Sequence, residues 1–172
     1  MGSGGANWAP RRVGLQMADL DEIYNTKLLE LAAAIPHSER LEAPDATVTA
    51  HSKLCGSTVS IDLKMSGDRV TDYGQTVKAC LLGQSAAAIV GREIIGASAQ
   101  ELRDTRAAMR KMLKEEGPPP AGRFSELAVL EPVRHYKARH GSVMLVFDAI
   151  ETAIDEIEQK RAAAGGARAA SP

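Results

Sequence analysis

The sequence predicts an α+β domain, a three-stranded antiparallel sheet with helices packed on one face and a long amphipathic helix at its C-terminal end. Three observations lead to that expectation. Residues 57–66, STVSIDLKMS, alternate polar and apolar positions with the two-residue period of a strand, Gly67-Asp68 follows as a two-residue hairpin loop, and the chain after Cys80 changes to helical periodicity.

The elements follow in order. Residues 1–16, MGSGGANWAPRRVGLQ, are Gly-rich and free of acids and read as a flexible tail, an expression remnant or a native extension, with Met17 a second potential start. Residues 162–172, AAAGGARAASP, are low in complexity and read as a second flexible tail, which leaves 17–161 as the folded domain. Leu20, Ile23, Tyr24, Leu28 and Leu31 form the stripe of a first helix that Pro36 must terminate. Ala46 to His51 has the β-branched composition of an edge strand. In 57–66, Val59, Ile61, Leu63 and Met65 share the buried face, opposite Thr58, Ser60, Asp62 and Lys64; Arg69 to Ala79 returns as the third strand, with Gly74 expected as a bulge. LLGQSAAAIVGREIIG reads as a buried helix ended by Gly96. Ser98 with Glu101 has capping-box spacing and opens a more polar helix carrying Leu102, Met109 and Leu113 inward, and GPPPAG breaks the chain after it. Val143, Phe147, Ile150, Ile154 and Ile157 then step by four, three, four and three along the closing helix.

Composition removes several function classes. A formal net charge of -1, with scattered Lys and Arg, leaves no footprint for nucleic acid or an anionic membrane. The longest apolar stretch, near 81–90, is far shorter than the roughly 20 residues of a spanning helix. Two cysteines and no secretory h-region point to a reducing, cytoplasmic setting. No Ser-His-Asp or Cys-His spacing and no GxGxxG or GxxxxGK loop is present, so an enzyme is not expected.

The two cysteines are the informative residues. With Gly67 and Asp68 as the loop and no bulge shifting the register, cross-strand partners sum to 135, and Cys55 with Cys80 satisfies that sum. An ideal pair there would have Cβ atoms roughly 4.5–5.5 Å apart. Gly56 beside Cys55 is expected to allow a close backbone approach. A buried packing role, a disulfide and a shared metal all remain open to these thiols. Two thiolates do not close a zinc site, which takes four ligands, so further donors would be needed. The candidates are His37, His51, His135 and His140; His140, at the start of the closing helix, is the most suggestive.

LCGSTVSIDLKMSGDRVTDYGQTVKACLLGQSAAAIVGREIIG resembles the core of the U-type iron–sulfur cluster assembly scaffolds, the IscU, SufU and NifU N-terminal group, and the resemblance extends from about Leu20 to Ile157. It implies that Cys55 and Cys80 are the first two cluster-ligand positions. It also implies departures: the aspartate that usually follows Cys-Gly is Ser57, and the third cysteine position is Ser142, with His140 a substitute metal ligand two residues away. The expected function is therefore assembly or carriage of iron or a labile iron–sulfur cluster on the two hairpin cysteines. A cysteine desulfurase and recipient apoproteins are the implied partners, and a homodimer could share the cluster. The alternative is a degenerate scaffold-fold interaction module or accessory subunit, holding zinc or no metal.

Overall fold

The computed structural model describes residues 26–170, with side chains described to residue 165. The proposed 1–16 tail and the first part of the apolar stripe, Leu20, Ile23 and Tyr24, lie outside the described residues. Helical residues 26–33, here α1, bury Leu28 and Leu31 and end before Pro36, whose ring cannot sit inside a continuing helix.

Three strands follow, β1 (Ala46–His51), β2 (Thr58–Ser66) and β3 (Arg69–Lys78), antiparallel in the order β1-β2-β3. Gly67, at φ +59°, supplies the positive φ that opens the β2–β3 hairpin loop. Val59, Ile61, Leu63 and Met65 are all buried on one face, as their alternation predicts. Asp62, on the opposite face, is also buried, because the chain after α1 lies against that side: Asp62 accepts from Arg40 Nε at 2.6 Å, Thr47 Oγ1 at 2.6 Å and the Leu41 amide at 3.0 Å.

The bulge lies elsewhere than expected. Lys64 pairs with Asp72 but Met65 pairs with Val70, so Thr71 is the extra residue. Gly74 is in register opposite Asp62, and its small size answers a different demand: a Cβ there would stand 2.3 Å from the Glu39 carbonyl oxygen. The segment after α1 is fixed to β3 at this point by the Gln75 amide, which donates to His37 O at 2.8 Å.

The remaining elements are α2 (Leu81–Glu93), α3 (Ala99–Lys114), a 3₁₀ segment (Gly122–His135) and α4 (Lys137–Ala170). Helix α2 is buried along much of its length, as its alanine-rich sequence predicts, and Gly96 turns the chain beyond it at φ +87°. Ser98 caps α3 by accepting from the Glu101 amide at 3.0 Å, and Leu102, Met109 and Leu113 are buried. Helix α4 packs on β1, β2, α2 and α3 and buries Val143, Phe147, Ile150, Ile154 and Ile157. Near its far end, Arg161 Nη2 donates to Met65 O at 2.8 Å and ties the helix to the hairpin. The helix runs on through 162–170, the stretch read from sequence as a tail, consistent with the high helix propensity of its alanines.

No element is predicted for 122–135. Its buried residues, Phe124, Leu127, Leu130 and Val133, recur every third position, which is the repeat of a 3₁₀-helix and not of an α-helix. This segment packs against α2 and α3 and delivers the chain to the start of α4. Among the described residues, no helix is long and apolar enough to cross a membrane.

Candidate functional site

Three separate segments converge at the end of the sheet away from the hairpin loop. The first is the β1–β2 connection. The Ser52 amide donates to Ser57 O and the Gly56 amide to Ser52 O, both at 2.9 Å, closing a tight turn that carries Cys55. Gly56 sits there at φ +68°, a left-handed conformation that favours glycine. A Cβ on it would meet nothing within 4 Å, so the expected close backbone approach is absent and the turn conformation explains the residue. The second segment is the N-terminus of α2, where Cys80 is the N-cap residue. The third is the second turn of α4, which presents Ser142.

Hydrogen bonds join the side chains into one chain. Cys55 Sγ shares a hydrogen bond with Ser57 Oγ at 3.1 Å, Ser57 Oγ one with Ser142 Oγ at 3.3 Å, and Ser142 Oγ one with Cys80 Sγ at 3.2 Å. Cys55 Sγ–H also donates to Ser52 Oγ at 3.3 Å. Both serines are buried while both cysteines are partly exposed, so hydroxyls form the floor and sulfurs the rim. Gly83 makes this convergence feasible: a Cβ on it would lie 2.7 Å from Ser142 Oγ and 2.8 Å from the Ala79 Cβ.

Both thiols are biased towards thiolate. Hydrogen bonding from Ser52, then from the Ser57 hydroxyl and amide, brings the Cys55 pKa down from 9.0 to about 7, against a smaller opposing effect of burial and with help from Ser142. For Cys80, burial raises the pKa, but the Ser142 hydroxyl, the Gly83 and Leu82 amides and the charge of Arg139 together outweigh it, and the net direction is down. The amide contribution is that of a helix N-terminus, whose unpaired N–H groups favour a nearby anion.

The two cysteines reach one site, but not as the cross-strand pair that the uninterrupted hairpin register predicts. Beyond the Thr71 bulge, cross-strand partners from Thr58–Lys78 to Lys64–Asp72 are displaced by one residue from the uninterrupted count, and pairing stops before either cysteine. Ser142, bonded to Cys80 directly and to Cys55 through Ser57, connects them instead.

His140 is not brought to the cysteines. Helix α4 begins at Lys137, so His140 and Ser142 are about 200° apart around a regular helix. The His140 ring is buried with Nε2 donating to the carbonyls of Val133 at 3.0 Å and Arg134 at 3.2 Å, where it satisfies the end of the 3₁₀ segment. His37, His51 and His135 are exposed. Among the described residues, no three His, Cys, Asp or Glu side chains converge to hold a metal ion. Ser52 belongs to no pattern that the sequence singles out; its place three residues before Cys55, in the turn that Gly56 closes, is the local signal for it.

Comparison with known proteins places this geometry in a family. No family model matches the chain. The structure superposes on a crystal structure of a nitrogen-fixing NifU-like protein (N-terminal) from Brucella abortus with a TM-score of 0.79 and 52% sequence identity, covering 82% of this chain and 98% of that one. The chain belongs to the IscU/NifU-like scaffold family. The iron–sulfur cluster assembly scaffold protein IscU of Thermotoga maritima is 23% identical over 139 residues, spanning 80% of this chain and 96% of that protein. A SUF-system scaffold protein from Fervidobacterium islandicum shares the fold, with a TM-score of 0.68 at 16% identity over 74% of this chain and 93% of that one.

Within the NifU-like fold, the donor set of this chain is half soft and half hard. Thiolates suit iron, zinc and iron–sulfur clusters, whereas a neutral hydroxyl binds such metals weakly. Cys55 and Cys80 therefore fit as ligands, and Ser57 and Ser142 fit as hydrogen-bond partners to sulfur, at the two positions where the family resemblance implies ligands.

Proposed function

We propose that this chain is an iron–sulfur cluster assembly scaffold or carrier that holds iron or a labile cluster through the Cys55 and Cys80 thiolates. The observation that supports it most is the joining of both sulfurs by one buried hydroxyl pair, Ser57–Ser142, at a partly open rim. Relatives whose names identify them as iron–sulfur scaffolds support the same reading.

In this function the chain binds and releases cargo and catalyses no bond rearrangement of its own. A cysteine desulfurase supplies sulfur at the persulfide level, an external two-electron donor reduces it to sulfide, Cys55 and Cys80 retain the iron and sulfide, and recipient apoproteins take them away. A closed cluster uses four protein ligands, and this chain offers two thiolates. The remaining positions are filled by a second protomer sharing the cluster or by ligands from outside, and such a site releases its cargo readily. The hydroxyls of Ser57, Ser142 and Ser52 donate to the sulfurs once these are ionised, which stabilises charge without adding metal bonds.

The substitutions at Ser57 and Ser142 favour one second reading, an accessory interaction module in which the same two thiolates hold zinc or nothing. Anaerobic reconstitution with iron and sulfide separates the two. The scaffold reading expects visible sulfur-to-iron charge-transfer absorption that is lost in Cys55→Ser and in Cys80→Ser. A colourless product without iron rejects it, and zinc recovered in place of iron supports the accessory module.

A further inference from the structure

A cavity of about 690 Å³ borders the turn that carries Cys55, lined in part by Leu54, Arg110, Lys114, Lys137, His140 and Gly141. Its volume falls in the range of small-molecule pockets. Three of its cations, Arg110, Lys114 and Lys137, are exposed and take part in no ion pair among the described residues. Two carboxylates also line it: Asp148, already paired with Arg106 at 2.8 Å, and Glu116, which has no ion pair among the described residues. The arginine of the wall nearest the 3₁₀ segment, Arg134, is likewise paired, with Glu131. The uncompensated charge is therefore positive.

Two observations bring the cavity close to Cys55. Leu54, 82% exposed, is the neighbour of Cys55 in sequence. Gly141 has no side chain to thicken the wall, and a Cβ built on it would lie 3.3 Å from the Ser52 hydroxyl, the group that accepts from Cys55. A cationic cavity thus lies beside a metal-type site that is short of thiolates.

Building on the scaffold reading, we propose that this cavity binds a low-molecular-weight thiol bearing carboxylates, whose sulfur supplies a further thiolate to iron held by Cys55 and Cys80. The carboxylates pair with Arg110, Lys114 and Lys137, and the thiol reaches over Gly141 towards the rim. On ligation the thiol proton passes to solvent and no electron is transferred. The volume matches a small molecule, and the missing donor is a sulfur, which a simple anion would not provide.

Two measurements test this, with reduced glutathione, S-methylglutathione and 2-mercaptoethanol as probes. In the first, apo-protein is titrated with S-methylglutathione, which keeps the carboxylates but has no thiol to ionise, and amide resonances are followed by NMR. Saturable shifts at Leu54, Lys137 and Gly141 are expected, with binding weakened at least tenfold in the Arg110→Glu, Lys114→Glu double variant; both positions are exposed, and an unchanged circular dichroism spectrum verifies its fold. In the second, the iron-loaded protein is challenged with a chelator. Glutathione is expected to slow iron loss at least tenfold more than 2-mercaptoethanol at equal thiolate concentration, and the double variant to lose that difference. Absence of saturable binding, or equal protection by the two thiols, overturns the inference while leaving the scaffold reading intact. Failure to load iron with any thiol overturns the scaffold reading and the ligand role together, even if the apo-protein binds S-methylglutathione.

Discussion

Replacing Ser52 with alanine removes the largest single influence that lowers the Cys55 pKa. At pH 7 a thiol with the ordinary value of 9.0 is about one per cent ionised, whereas one at about 7 is about half ionised, a gain of about fiftyfold in thiolate. Nucleophilicity falls with pKa at a Brønsted slope of about 0.4–0.5, which takes back about six- to tenfold over such a shift. Wild-type Cys55 should therefore react with an aromatic disulfide at pH 7 about five- to eightfold faster than an ordinary thiol. In Ser52→Ala part of that advantage disappears and the midpoint of the rate–pH profile moves up, short of the ordinary value because the Ser57 hydroxyl and amide and Ser142 remain. The assay is the reaction rate against pH, with Cys55 and Cys80 separated by peptide mass spectrometry. A wild-type Cys55 midpoint near 9, or a midpoint unmoved by Ser52→Ala, would refute the hydrogen-bonded account of the site.

Three further outcomes are expected. Ser142→Cys places a third sulfur where a hydroxyl now touches Cys80 at 3.2 Å, and reconstituted protein should lose iron to a chelator at least tenfold more slowly; equal loss rates would show that a ligand at 142 is irrelevant. Burial raises the Asp62 pKa, but the hydrogen bonds and charge of Arg40, with Thr47 and the Leu41 amide, bring it below its ordinary value. This stabilisation is thus present above that value and lost as pH falls through the folded pKa. Asp62→Asn should cost about 1–3 kcal/mol at pH 7 and flatten the decline in denaturant midpoint below about pH 4, whereas an unchanged decline would assign it to other carboxylates. Phe124→Ala removes a fully buried ring from the 3₁₀ segment and should cost about 3–5 kcal/mol in urea unfolding; a loss under 1 kcal/mol would mean that this segment is not part of the core.

What could be read from sequence depended on whether a local pattern controls the feature. The strands and helices follow strong periodicities, and Val59 to Met65 and Val143 to Ile157 are buried where those periods put them. The 3₁₀ segment is not legible in the sequence because a three-residue apolar repeat, Phe124 to Val133, fits neither the strand nor the α-helix template, and Pro132 within it argues against a helix of ordinary length. The sequence suggests a bulge at Gly74 because glycine tolerates irregular backbone, but an approach by Glu39, 35 residues earlier in the chain, is what excludes a side chain there. For the site, the family resemblance pointed to Ser57 and Ser142 beside the cysteines, whereas strand register alone could not, since one bulged residue displaces the partners beyond it. His140 was attractive by proximity in sequence, and helix geometry turns it to the other side.

The most direct test of cargo binding by Cys55 and Cys80 is native mass spectrometry of the anaerobically reconstituted protein beside its cysteine variants. This reads iron, sulfide and subunit number in one spectrum. Iron and sulfide mass increments are expected on the wild-type chain, as monomer or cluster-bridged dimer, and their loss in both Cys55→Ser and Cys80→Ser. A wild-type spectrum of metal-free or zinc-only protein, or iron–sulfide increments that survive in the cysteine variants, would contradict it.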